Sequence, residues 1–125
     1  MGGRSGQRVV RNAAQQKTYK DTINNSEYKE IAGNRVVSEY LREEGLKSNM
    51  REQSSEQIEK SKEILQFEKT EKTLNRPDGS EVNAKTIGVY DKDGKFLSST
   101  SFVNGQAQSD INDENIYQQT KKQLE

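Results

Sequence analysis

The sequence predicts an α+β fold: two to three N-terminal helices, an antiparallel β-hairpin or three-stranded meander over about 80–103, and a C-terminal helix. Three observations point there. Apolar residues recur at helical spacing over 27–44, two x-x-Asp-Gly-x segments frame a strand-like stretch, and residues 113–124 carry helix signals at both ends. The length of 125 residues fits one small domain. We assign Met1–Gly6 to a disordered arm and residues 7–125 to that domain, with residues 7–74 helical.

Met1–Gly6 (MGGRSG) holds three glycines in six residues, too much backbone freedom for ordering without contacts. Gln7–Lys20 is compatible with a helix whose short apolar stripe is Val9, Val10, Ala13 and Ala14, and which only packing can hold in place. The stronger helix starts after the polar stretch Asn24–Ser26 and runs from Glu27 to Glu44. Tyr28, Ile31, Ala32, Val36 and Tyr40 lie on one side of it, with Val37 and Leu41 widening the stripe. Gly33-Asn34 interrupts the pattern and divides the segment in two, since glycine costs about 1 kcal/mol relative to alanine inside a helix. Gly45 is placed to end it in the left-handed conformation, with Leu46 folding back on the last turn. Residues 48–74 read as a second long helix with a narrow seam of Met50, Ile58, Ile64, Leu65, Phe67 and Leu74.

Arg76-Pro77-Asp78-Gly79-Ser80 and Asp91-Lys92-Asp93-Gly94-Lys95 each suit a type I turn followed by a left-handed glycine, a three-residue hairpin loop. Pairing outward from the second places Asp91 opposite Lys95, Tyr90 opposite Phe96 and Val89 opposite Leu97. On that register Tyr90, Phe96 and Phe102 share one face, and Ile87, Val89, Leu97 and Val103 the other. Outward from the first turn, Leu74 faces Val82, a hint of a third strand set against the helical pattern of 58–74. The run Ser98-Ser99-Thr100-Ser101 is polar on both faces and reads as a pairing edge. In the last helix Asn112 serves as N-cap, Asp113 and Glu114 favour the positive end of the dipole, and Lys121 and Lys122 the negative end. Ile111 and Ile116 suit a hydrophobic staple, and Ile116, Tyr117, Thr120 and Leu124 form the face expected to pack on the hairpin.

Function is constrained first by what is missing. The chain has no histidine and no cysteine, which removes the usual proton carrier near neutral pH and most tight zinc and copper ligands. We therefore expect no enzyme activity, no metal and no cofactor. Only 28% of residues are hydrophobic against 32% charged, so the core is thin and gains from a protein partner or a second copy. Absent cysteines and the lack of a signal-like apolar run suit a cytoplasmic location, and no stretch approaches the roughly 20 apolar residues that cross a bilayer.

Net charge is zero but unevenly placed: residues 1–20 carry Arg4, Arg8, Arg11, Lys17 and Lys20 without an acid, and the remaining chain carries −5. Such a basic arm suits nucleic-acid phosphates, an acidic partner, or the chain's own acidic body, although that body repels phosphates. Asp91-Lys92-Asp93-Gly94 is similar to a fragment of a calcium loop, but the twelfth position, where a glutamate is needed, is Phe102. Ser99-Thr100-Ser101 resembles the central Ser-Thr-Ser of arginine–serine–glutamate ADP-ribosyltransferases, but the downstream Glu-x-Glu of that family is missing.

The opening MGGRSG resembles the MGGRG-type starts of small proteins encoded near the head genes of phages of Gram-positive bacteria, departing from them at Ser5. The resemblance implies a mobile-element origin and action by binding a host or phage protein. Taken together, the sequence points to a non-catalytic protein–protein interaction module, an adaptor or inhibitor, with Tyr90, Phe96 and Phe102 as its apolar contact residues. The alternative is a nucleic-acid-binding module acting through Arg4, Arg8, Arg11, Lys17 and Lys20.

Overall fold

A computed structural model describes residues 22–46 and 55–125. The expectations placed on Met1–Gly6, on the helix Gln7–Lys20 and on its five basic residues lie outside the described residues. The elements run α1 (Asn25–Ala32), α2 (Arg35–Glu43), α3 (Ser55–Glu63), β1 (Gln66–Asn75), β2 (Glu81–Tyr90), β3 (Phe96–Val103), β4 (Gln106–Ile111) and α4 (Glu114–Leu124). The four strands form one antiparallel meander in chain order. Helices α1 to α3 cover one side, here called the major face, and α4 crosses the other, the minor face. The fold is α+β as the sequence predicts.

Asn24 starts α1 with a capping box: its side chain accepts from the Glu27 N–H at 2.8 Å, and the Glu27 carboxylate accepts from the Asn24 N–H at 3.1 Å. The helix then breaks at Gly33-Asn34. Asn34 caps α2 by accepting from the Val36 and Val37 N–H groups, which restarts the helix in a new phase. The buried stripe accordingly moves from Tyr28, Ile31 and Ala32 to Val37 and Leu41, leaving Val36 and Tyr40 half-buried. Gly45, at φ +82°, ends α2, and the Leu46 N–H donates back to the Leu41 carbonyl at 2.9 Å.

The expected long helix over 48–74 is not found: α3 ends at Glu63 and residues 66–75 are strand β1. Phe67 and Leu74, seven apart, mimic a helical seam, but ten consecutive pairings with β2 decide the conformation. Leu74 faces Val82 in that ladder. Both Asp-Gly turns form as expected, with Gly79 and Gly94 at φ +89° and +87°.

Beyond the second turn the hairpin departs from the expected register. Tyr90 pairs with Phe96, but Val89 pairs with Ser98, so Leu97 is the extra residue of a bulge. From that point every β3 side chain is turned to the other face. Phe102 consequently packs on the major face with Ile87, Val89, Phe67 and the α1–α2 residues, not beside Tyr90 and Phe96. The Ser98–Ser101 run is no edge either: β3 is bonded to β2 on one side and β4 on the other. Strand β4 was not foreseen. Asn104 and Gly105, at φ +51° and +84°, make the two-residue turn that Asn-Gly favours and return the chain as β4.

Candidate functional site

On the major face the apolar cluster surrounds one buried acid. Glu27, facing the sheet from α1, meets Lys85 of β2 and Lys69 of β1, the latter at 3.5 Å. Burial opposes its ionisation, but the hydrogen bonds from Lys85 and the Asn24 backbone, with the two lysine charges, outweigh it and hold the carboxyl below its usual value. Lys85 also lies 5.2 Å from the centre of the Phe102 ring. A groove of about 890 Å³ opens here between α1 and the β3–β4 edge, lined by Glu27, Glu30, Lys85, Thr100, Phe102 and Asp110 among others. Its buried polar groups answer one another, Thr100 donating to Asp110 at 3.0 Å beside the Glu27–lysine cluster.

The minor face is held by aromatic residues around a second acid. Tyr117 of α4 is fully buried, stacks on Phe96 with ring centres 5.3 Å apart, and donates to Glu68 at 2.8 Å. Tyr90 donates to the same carboxylate at 3.2 Å and packs edge-on against Phe96, while Lys121 pairs with it at 3.1 Å. Burial and the adjacent Glu68 charge push both tyrosine hydroxyls well above their usual range, so they stay protonated and donate hydrogen bonds to the carboxylate. Among the described residues no group of three acidic or other metal-ligating side chains converges on one point.

Of the three residues expected to make apolar contacts, two are buried and Phe96 is half-buried. Tyr90 and Phe102 are each 2% exposed, on opposite faces of the sheet, and Phe96 is wedged between Tyr90 and Tyr117.

A different surface emerges from the way α4 crosses the sheet. Its Tyr117 sits against Gly88, so the helix lies over the half of the sheet next to the 91–95 turn. Lys121 faces Glu68 on that side, the two pairing at 3.1 Å. Helical spacing then turns Ile116, Thr120 and Leu124 toward the other half. That half is bare. Its floor is Leu74, Val82, Ala84 and Val103, all placed on the minor face by the register. Leu74 is 45% exposed and Ile116 51%, and they are the two exposed large hydrophobic residues among those described. The surface between them is here called the shelf.

No protein-family model, no curated protein and no solved structure matches this chain.

The shelf was only half visible in the sequence. The Leu74–Val82 pairing is legible from turn symmetry, but helical spacing places Ile116 on the face expected to pack on the hairpin. Asp113, not Asn112, caps α4, its side chain accepting from the Asn115 and Ile116 N–H groups. Asn112 instead accepts from Ser98 at 2.6 Å. The one-residue shift removes the staple that would have buried Ile116 against Ile111.

Proposed function

We propose that this protein is a non-catalytic interaction module whose minor face, on the half beyond α4, receives an amphipathic helix of a protein partner. The observation that carries this reading is that Leu74 of β1 and Ile116 of α4 are the exposed large hydrophobic residues among those described. The dimensions favour a helix. Neighbouring helices pack about 8–10 Å apart, and strands rise about 3.4 Å per residue, so a helix beside α4 would run some three residues from Gly88, between Thr86 and Ala84. Its apolar stripe would meet Val82, Ala84 and Val103, with Ile116 and Leu124 against one flank and Leu74 against the other. Lys72 and Gln106 give the polar rim that interfaces place around an apolar centre. Among the described residues no helix is long and apolar enough to cross a membrane. In the setting implied by the MGGRSG resemblance, such a chain would act in the bacterial cytoplasm as an adaptor or inhibitor of a host or phage protein.

A photo-crosslinking amino acid at Leu74 or Ile116, compared with one at Lys29 on the far side, tests the reading in living cells. We expect one partner to crosslink from the first two positions and not from the third. Equal capture from Lys29, capture of a second copy of this chain, or no capture from either shelf position would overturn it.

A further inference from the structure

We infer that β1 is a pairing edge for a second copy of this chain, which joins it antiparallel about a two-fold axis at Thr70 and makes one continuous sheet of the two. The outer strands of the sheet are unlike. β4 has six residues and a bulge against β3, a feature that blunts an edge. β1 has ten residues in unbroken register with β2, and no strand lies on its outer side. Its residues 71–75 are exposed.

The backbone phase of that edge follows from the first turn. The Arg76 N–H donates to the Ser80 carbonyl at 2.8 Å, so the bonded pairs with β2 fall on the even-numbered residues of β1. Alternation then turns the N–H and C=O groups of Phe67, Lys69, Glu71 and Thr73 outward. The far side of β2 agrees. Asn83, opposite Thr73, donates its N–H to Asn104 Oδ1 at 2.9 Å and accepts from the Asn104 N–H at 2.8 Å, both away from β1. Among the described residues, no backbone group outside the sheet bonds to the four outward-facing ones. Outward groups at odd positions exchange bonds only where odd faces odd, so a second copy must be centred on a residue and not between two.

Charge selects that residue. Glu68-Lys69-Thr70-Glu71-Lys72 reverses sign about its middle. With the axis at Thr70, Glu71 faces Lys69 of the second copy and Lys72 faces its Glu68, and the symmetry repeats both pairs. Centring on 68, 69, 71 or 72 instead sets a charged residue against itself, which destabilises a sheet. The Thr70 register also makes bonded pairs of Lys69 with Glu71 and of Phe67 with Thr73, about eight backbone hydrogen bonds in all. The contact is isologous, so it closes as a dimer with β4 at both ends.

The chain contains no cysteine, so a single introduced thiol reports on one place. On the axis the two Thr70 residues face each other with Cβ atoms about 4.5–5.5 Å apart, near disulfide reach, whereas the two Thr73 residues stand about 20 Å apart along the strands. In the full-length protein under mild oxidation, Thr70→Cys should form a covalent dimer at least tenfold faster than Thr73→Cys. Equal rates, or no dimer from Thr70→Cys, would overturn the inference. Glu71→Lys/Lys72→Glu keeps the net charge and exchanges two exposed side chains, but it makes every cross-copy pair alike in sign. By sedimentation equilibrium the parent should be a dimer and this variant should dissociate at least tenfold more readily, with its circular dichroism unchanged. A monomeric parent, or an undiminished dimer of the variant, contradicts the pairing. In the parent, Leu74 stands opposite Gln66 of the second copy; the crosslinking of the shelf is therefore done in the Glu71→Lys/Lys72→Glu variant, where a second copy captured at Leu74 still counts against the shelf.

Discussion

The position of α4, and with it the shelf, depends on one close approach that can be tested by adding a single methyl group. A Cβ on Gly88 would lie 2.4 Å from Tyr117 Cζ, 2.4 Å from its hydroxyl oxygen and 2.8 Å from Cε2, where ordinary contact is 3.4–4 Å. The ring must therefore move by roughly 1 Å, and it is locked: fully buried, stacked on Phe96 and bonded to Glu68. Overpacking of this kind costs about 1–3 kcal/mol, and loss of the Tyr117–Glu68 bond to a charged acceptor about 1.5–3 kcal/mol more. Gly88→Ala should thus destabilise the protein by about 3–5 kcal/mol, a large share of the about 5–15 kcal/mol available to a small domain. Urea unfolding followed by circular dichroism measures it. Adding Tyr117→Leu, which removes the clashing atoms, should make the alanine nearly neutral, so the double-mutant cycle shows strong coupling. A cost below about 0.5 kcal/mol for Gly88→Ala, or additive effects in the cycle, would refute the packing of α4 on β2.

Other perturbations probe the rest of the fold. Because Glu27 is held below its ordinary value, it contributes stability at neutral pH that disappears as the pH falls from about 4.5 through its folded-state value. Glu27→Gln should flatten that part of an acid titration and cost about 2–5 kcal/mol at pH 7 by leaving Lys69 and Lys85 facing each other unpaired; an unchanged acid profile would contradict the cluster. Tyr117→Phe, which keeps the stack and removes one donor to Glu68, should cost about 1.5–3 kcal/mol in urea melts, and no loss would show the carboxylate to be satisfied without it. Gly105→Val places a β-branched residue at φ +84° in the β3–β4 turn, and should raise amide exchange in β4 well before it affects β1. Uniform exchange changes would mean that the turn does not control that strand.

How far these features could be read from the sequence depended on whether the deciding signal was local. The Asp78-Gly79 and Asp91-Gly94 turns, the break at Gly33-Asn34 and the Gly45 stop are all set by nearby backbone preferences, and all are found. Strand β1 was hidden because Gln66–Asn75, dense in Glu, Lys and Thr, has no strand signature of its own and is fixed by pairing with β2. The bulge at Leu97 left no local trace, and it moved Phe102 to the opposite face. Strand β4 is different: Asn104-Gly105 is a strong local hairpin signal that points to a fourth strand and so to an internal position for Ser98–Ser101. Of the shelf, Leu74 and Val82 were legible through their turn. Ile116 was not, because its exposure follows from a helix start one residue later than the sequence suggested.

The most direct test of the account is the affinity of the crosslinked partner, once purified, for the full-length protein and for its Leu74→Asp/Ile116→Asp variant by titration calorimetry. Central apolar contacts each contribute about 1–2 kcal/mol or more, so the variant should bind at least tenfold more weakly, while Lys29→Asp should bind as the parent does. Undiminished binding by the shelf variant, with its melting curve unaltered, would contradict the claim that the half of the sheet beyond α4 is the docking surface.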